Sequence, residues 1–342
     1  MSELKQICIL PETSGVGGPA SFRQRMTAGL AAYGIRVSAD LDVKDCDAVL
    51  LISSWRQLGK LWRLKRQGIP IIQRLDGINW MHKVTPFNLR YFLKAEYGNL
   101  LMSYTRKYLA DQVIYQSEFV GRRWEQVYGP TPVPYTVIHN GIDLQAFSPE
   151  GAAEVQGGRQ RILVVEGSFG GGYDLGLKFI LDAAAGLEER YDIQVEVMFV
   201  GRVTDAVREK WTAYAQVPLT WTGIVPREQI PVLNRSAALF FSVDLNPACP
   251  NTVIEALACG VPVLAYDTGA LPEMISGDAG RVVPYQVDPW KLEIPPTDGL
   301  VDAAAEILQN QARFRAGARA RAEAAFDLKS MVQKYVEVIQ SG

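Results

Sequence analysis

The stretch NPACPNTVIEALACG, residues 246–260, sets one carboxylate, Glu255, on the first turns of an otherwise apolar helix, just past a short Pro-containing loop. A carboxylate so placed can favour the positive end of the helix dipole. Two Gly-rich loops add to this chemistry. ETSGVGGPASF brings Gly17 and Gly18 in after the first apolar strand of the chain, and VVEGSFGGGYD brings Ser168, Gly170, Gly171 and Gly172 in after the first strand of its second half. Glycines at a strand-to-helix turn let backbone amides approach a phosphate; a plain tight turn is the other reading of each loop. The Gly-x-Gly-x-x-Gly spacing of a dinucleotide site is missing, which sets a dehydrogenase aside. Two such loops, each opening its own domain, suit a ligand with a central diphosphate.

The elements that must carry these residues alternate short apolar strands with helical patterns, the signature of a mostly parallel sheet covered on both faces. In the first half the strands read ICILP, AVLLIS, IPIIQRL, QVIYQS and YTVIHN; in the second, RILVVEG, VEVMFVG, LTWTG, ALFFSV, VPVLAYD and a shorter RVVPY. Between the two sets GIDLQAFSPEGAAEVQGGRQ lacks apolar periodicity and reads as a connection. The expected domains are therefore 1–147 and 148–328. A last helix over 329–342 is expected to pack back on the first.

A chain of 342 residues with ordinary apolar content can bury two cores. A formal charge of −2 argues against broad nucleic-acid binding. The four cysteines, Cys8, Cys46, Cys249 and Cys259, form no Cys-x-x-Cys and have no His at metal-ligand spacing, so they read as reduced structural thiols and no metal is expected. No leader and no apolar run of membrane-spanning length is apparent, and the expected location is the cytoplasm, either free or peripheral on the inner face of the membrane.

PNTVIEALACGVPVLAYDTGALPEMI, residues 250–275, and VIHNGIDLQAFSP, residues 137–149, resemble the retaining, family-four type of nucleotide-sugar glycosyltransferases, with GVGGPASF, QRLDGINW, VIYQSEFV and WTGIVPREQIPVLNRSAALFFS as supporting matches. The resemblance covers nearly the whole chain and implies an α/β GT-B fold: two facing Rossmann-like domains with a cleft between them, the first on the acceptor side and the second binding the donor. It implies that Glu255, the second Glu of the family's Glu-x7-Glu pattern, holds the donor ribose. Asn251 and Thr252 would then face the diphosphate or sugar, Ser168 and Gly170 to Gly172 would cradle the diphosphate, and Gly17 and Gly18 would approach the donor phosphates. The backbone from Gly223 to Val225 would border the base, and Asn140 and Gly141 would form the hinge. The co-substrate is a nucleoside diphosphate sugar and no further cofactor is implied.

Two departures stand out against that pattern. The first Glu of the pair falls at Pro247, leaving Asn246 or Asp244 to substitute, and the Arg and Lys usual in the second-domain loop are replaced by Gly and Ser. With only His82 and His139 in the chain, and no His at the end of the central first-domain strand, Asp76 takes the place of a polar contact to the transferred sugar or acceptor. Arg74 is the nearby cation. Asp76 as a turn former before Gly77 is the alternative. These departures leave two functional readings: transfer of a sugar to a glycan or lipid-linked acceptor, or a non-catalytic nucleotide-sugar-binding or scaffold protein on the same fold. An epimerase would require an acid–base set that the sequence does not supply.

WRQLGKLWRLKRQG, residues 55–68, carries five cations and no acid among Trp and Leu residues. That composition at helical spacing suits contact with an anionic membrane surface. The plainer reading is a helix with one buried and one solvated face. Tyr91, Phe92, Tyr97 and Tyr104 read as core aromatics, with a carbohydrate platform as the alternative.

Overall fold

Parallel strands buried on both faces must be apolar at nearly every position rather than at alternate ones, and the strands of this chain meet that demand. In the computed structural model, β1 (Gln6–Leu10), β3 (Ala48–Leu51) and β4 (Ile71–Leu75) are buried along their whole length. Placement is described for residues 4–13, 17–40, 46–85, 88–154, 157–170 and 175–341. The chain divides into two units, residues 1–141 with 328–342, and residues 142–327. The first crossing thus falls six residues before the boundary expected from composition.

In the first unit β1 is followed by α1 (Gly18–Ala31), β2 (Arg36–Ser38), β3, α2 (Leu58–Arg66), β4, α3 (Leu89–Tyr104), a π-helical turn over Thr105–Leu109, β5 (Gln112–Tyr115), α4 (Glu118–Tyr128) and β6 (Tyr135–Val137). The strands form one parallel sheet in the order β2-β1-β3-β4-β5-β6. The short edge strand β2 is exposed to half-buried and has no counterpart among the strands read from the sequence.

The second unit runs β7 (Gln160–Phe169), α5 (Leu175–Tyr191), β8 (Val195–Val203), α6 (Asp205–Tyr214), β9 (Leu219–Gly223), α7 (Ile230–Arg235), β10 (Leu239–Phe241), α8 (Asn251–Ala258), β11 (Val263–Tyr266), α9 (Leu271–Met274), β12 (Gly280–Val283), α10 (Asp298–Gln309) and α11 (Gln311–Ala325). Its parallel sheet has the order β12-β11-β10-β7-β8-β9. Consecutive strands from β7 run outward on one side, while β10 begins the other side. The switch in direction lies between β7 and β10, and the carboxyl ends at such a switch are where open α/β sheets bind ligands.

The last helix, α12 (Leu328–Ser341), belongs to the first unit. It buries Met331, Val332, Tyr335 and Ile339 in the core that α1 forms over the sheet. Gly29 of α1 makes the close approach possible, since a Cβ there would lie 2.4 Å from Val332 Cγ2. Each fully buried side chain of this size contributes roughly 1.5–3 kcal/mol, so α12 is integral to the unit. Ile142 and Asp327, the first and last residues of the second unit, form a parallel bridge, and the Ile142 amide donates to Phe326 O at 2.8 Å.

Candidate functional site

Near the switch point of the second unit the polypeptide places two carboxylates, Glu166 three residues before the end of β7 and Asp244 three residues past β10. Burial pushes both carboxyls up. Asp244 rises from 3.8 to about 7, with the Leu245 amide opposing the shift. Glu166 rises well above the usual carboxylate range, and the charge of Asp244 adds to the effect of burial. Two carboxylates close enough to resist joint ionisation hold a proton at neutral pH more readily than either alone. Asp244 was foreseen only as one substitute for the missing Glu at 247. Glu166 was not foreseen, although a lone acid closing the apolar run RILVV is a visible signal.

The glycines around the pair have packing reasons. Gly201 of β8 adopts φ +145°, and a Cβ there would meet Glu166 O at 1.9 Å. Gly176 of α5 faces Val243, whose carbonyl oxygen would lie 2.5 Å from an added Cβ. The first turn of α5 is thereby brought against the residue preceding Asp244.

Past Asp244, the loop that contains Pro247 is held from below by the turn after β11. The Asn246 amide donates to Thr268 Oγ1 at 3.3 Å, and the Ala270 amide donates to Pro247 O at 2.9 Å. Asn246 itself takes φ +56°, and its buried Nδ2 has no hydrogen-bond partner among the described residues. The loop leads into α8, where Pro250 occupies the N-cap position and contributes no capping side chain. Asn251, Thr252 and Glu255 are all half-buried on the first turns of that helix, whereas Val253, Ile254, Ala256 and Leu257 are buried. At the other end of α8, Arg319 of α11 donates to Ala258 O at 2.7 Å and to Phe147 O at 2.9 Å. A cation on the last carbonyls complements the helix dipole and fixes the helix that presents Glu255.

Ser168 and Gly170 lie at the carboxyl end of β7, and Gly223 and Val225 at that of β9. Gly171 and Gly172 lie outside the described residues. Among the described residues no atom lies within 4 Å of a Cβ added at Gly170, or at Gly17 and Gly18 at the start of α1. Gly17 is the N-cap of α1, a position that glycine favours in its own right.

In the first unit Asp76 follows β4 and is half-buried, and its main-chain oxygen accepts from Trp124 Nε1 at 2.8 Å. Desolvation raises its carboxyl pKa and the Arg74 guanidinium draws it back down. Arg74 is buried, with its guanidinium 3.9 Å from the Phe22 ring centroid and Nη2 donating to Asn140 Oδ1 at 2.9 Å. Asn140 in turn donates to Gln116 Oε1 at 3.2 Å, while Gly141 O accepts from Arg25 Nη1 at 3.0 Å. Arg74 and Asn140 therefore share one buried network that anchors residues 140–141 within the first unit. His82 is buried against Glu96, with Nε2 2.6 Å from Oε1. Among the described residues no group of three or more His, Cys, Asp or Glu side chains is arranged to hold a metal ion.

The Asp244 carboxyl carries a prediction. Its folded form holds the proton more tightly than the unfolded form, so folding takes up a proton between pH 3.8 and about 7, and stability falls as pH rises through that window. Asp244→Asn is expected to melt higher than the wild type at pH 8, by the equivalent of about 1–3 kcal/mol, and to match it below pH 4. A wild-type melting temperature that climbs between pH 4 and 7 while the variant's stays level would refute this.

Residues 160–316 match the model of the family described as Glycosyl transferases group 1. Over 87 residues the chain is 36% identical to O-antigen chain mannosyltransferase B of Escherichia coli, a match that covers 25% of this chain and spans about a fifth (21%) of that relative's length. Among solved structures, the sucrose-phosphate synthase of Thermosynechococcus elongatus superposes with a TM-score of 0.75 at 16% identity, with 98% of each chain covered. HepE of Anabaena in complex with UDP-glucose superposes at 0.70 with 14% identity, covering 98% of this chain and 100% of that one. WaaG, a glycosyltransferase involved in lipopolysaccharide biosynthesis, superposes at 0.66 with 17% identity, covering 98% and 100%. The fold is GT-B, as the resemblance implied.

Proposed function

We propose that this chain, whose residues 160–316 form a group 1 glycosyl transferase domain on the GT-B fold, moves a sugar from a nucleoside diphosphate sugar to a glycan or lipid-linked acceptor with retention of anomeric configuration. The observation that carries the reading is Glu255: a half-buried carboxylate on the first turns of a helix that starts just beyond the β10 end of the topological switch. In that position a carboxylate accepts both ribose hydroxyls, and the helix N-terminus beside it supports the diphosphate. Ser168, the 170–172 backbone and the amides near Asn251 and Thr252 supply neutral donors to the diphosphate in place of cations. Little else is demanded of the protein, because transfer of this kind rests on positioning and on stabilising the departing diphosphate. Asp76 is the polar group proposed to meet the sugar or acceptor.

A second reading, ligand binding without transfer, is favoured by Pro247, which is buried and fastened through its carbonyl to Ala270 where an acid would contact the sugar. Calorimetric titration with UDP-, GDP- and ADP-sugars separates the cases when paired with a turnover assay on whichever donor binds. Selective binding with release of the nucleoside diphosphate supports transfer, and binding without release over many hours supports the second reading. A folded protein that binds none of the three overturns both.

A further inference from the structure

Residues 55–110 hold eleven Lys and Arg against two acids, Asp76 and Glu96, in a chain whose net charge is −2, so the remainder of the chain carries −11. Glu96 is paired with His82 and with Lys83 at 3.0 Å, and Asp76 feels the charge of Arg74. The same segment contains the most exposed apolar side chains of the first unit. Leu89, Leu93, Tyr97 and Leu100 of α3 are 72%, 58%, 46% and 62% exposed. Their spacing, i, i+4, i+8 and i+11, aligns them along one stripe of the helix. Leu101 and Met102 of the same helix are buried. α3 therefore has both buried and exposed apolar residues, and only the exposed ones line up as a stripe. The expectation that Tyr91, Phe92 and Tyr97 are core is overturned, since all three are exposed.

The exposed stripe is continuous with the basic helix. Arg56, just ahead of α2, stacks over the Tyr97 ring at 5.8 Å, and Lys65 at the other end of α2 donates to Leu109 O at 2.9 Å. Trp62, Arg63 and Arg66 on α2 are exposed, as are Arg90 and Lys94 on α3. Single exposed leucines need no explanation. A row of them bordered by cations is the composition that enters the headgroup region of an anionic bilayer, where each Lys or Arg near the surface gains from the negative potential. A second copy of this chain fits poorly, because two such faces would bring like charge together.

We propose that α2 and the exposed stripe of α3 form a docking surface for an anionic lipid bilayer, with Leu89, Leu93 and Leu100 entering the interface and Arg63 and Arg66 meeting lipid phosphates. The proposal stands on the first unit alone and goes beyond the donor reading, so either can fail without the other.

The test is flotation of the full chain with vesicles of equal parts phosphatidylglycerol and phosphatidylcholine, and with phosphatidylcholine alone. Binding is expected to the mixed vesicles at low salt, to weaken with added salt, and to be absent on phosphatidylcholine. Arg63→Glu with Arg66→Glu is expected to lower partitioning by about a hundredfold or more, and Leu89→Ser with Leu93→Ser by about tenfold or more. All four positions are exposed, so both pairs should melt with the wild type, and their nucleotide-sugar titrations serve as a second check on folding. Equal binding to the two vesicle types, or binding that neither pair alters, overturns the proposal. So does concentration-dependent self-association that the leucine pair abolishes in a protein that never floats, which would assign the face to a second copy.

Discussion

Alanine at position 255 is expected to weaken nucleotide-sugar binding by about ten- to a hundredfold while moving the melting temperature by no more than about 2 °C. A hydrogen bond to a charged group contributes about 1.5–3 kcal/mol, and each tenfold in affinity corresponds to about 1.4 kcal/mol, so losing a two-hydroxyl contact falls in that range. The small stability effect follows from the setting: Glu255 is half-buried and projects from a helix whose packing rests on Val253, Ile254, Ala256 and Leu257. Glu255→Gln, which keeps the shape and loses the charge, should fall between the wild type and alanine. A Glu255 that merely favours the helix dipole predicts the opposite pair of results, with affinity unchanged and stability lower by about 0.3–1 kcal/mol. Titration and melting of the three proteins decide between the two roles.

The sheet strands were legible because parallel, doubly covered strands are apolar runs bounded by turn residues. RILVV and FVG in β7 and β8 announce themselves in this way, and so does VLAY in β11. RVS in β2 did not, being three residues long, at an edge, and without a buried face. α3 misled for a different reason. Its sequence LRYFLKAEYGNLLMSY has apolar residues around most of the helix, so periodicity does not choose which stripe is buried. The Gly-rich loops and Glu255 could be placed by their position after strands and before helices. The meeting of Glu166 and Asp244 could not, since it depends on β10 pairing with β7 across more than seventy residues of chain. Arg74 shows the same limit. Its sequence neighbourhood suggests a cation beside Asp76, but its guanidinium is committed to Phe22 and Asn140, contacts that only the folded unit defines.

Gly269→Val should be the most damaging single change at the 246–247 segment, because two separate costs meet there. Gly269 sits at φ +61°, where an L-residue is strained by roughly 1–2 kcal/mol. Its added Cβ would also lie 2.4 Å from Pro247 N, 2.5 Å from Asn246 C and 2.5 Å from Pro247 Cδ. None of these atoms belongs to a flexible side chain, so the 246–247 segment must move bodily, taking with it the hydrogen bonds from Asn246 to Thr268 and from Ala270 to Pro247. A total cost of about 3 kcal/mol or more is expected, together with at least a tenfold loss of nucleotide-sugar affinity, since the displaced segment leads directly into α8. Gly277 provides the control. It has φ +60° but no atom within 4 Å of an added Cβ, so Gly277→Val incurs the conformational strain alone. Chemical denaturation of the two variants should therefore differ by the cost of the clash, and donor titration should fail only for the first. Equal destabilisation of both would mean that the loop yields freely, and that the turn after β11 does not hold the segment where the structure places it.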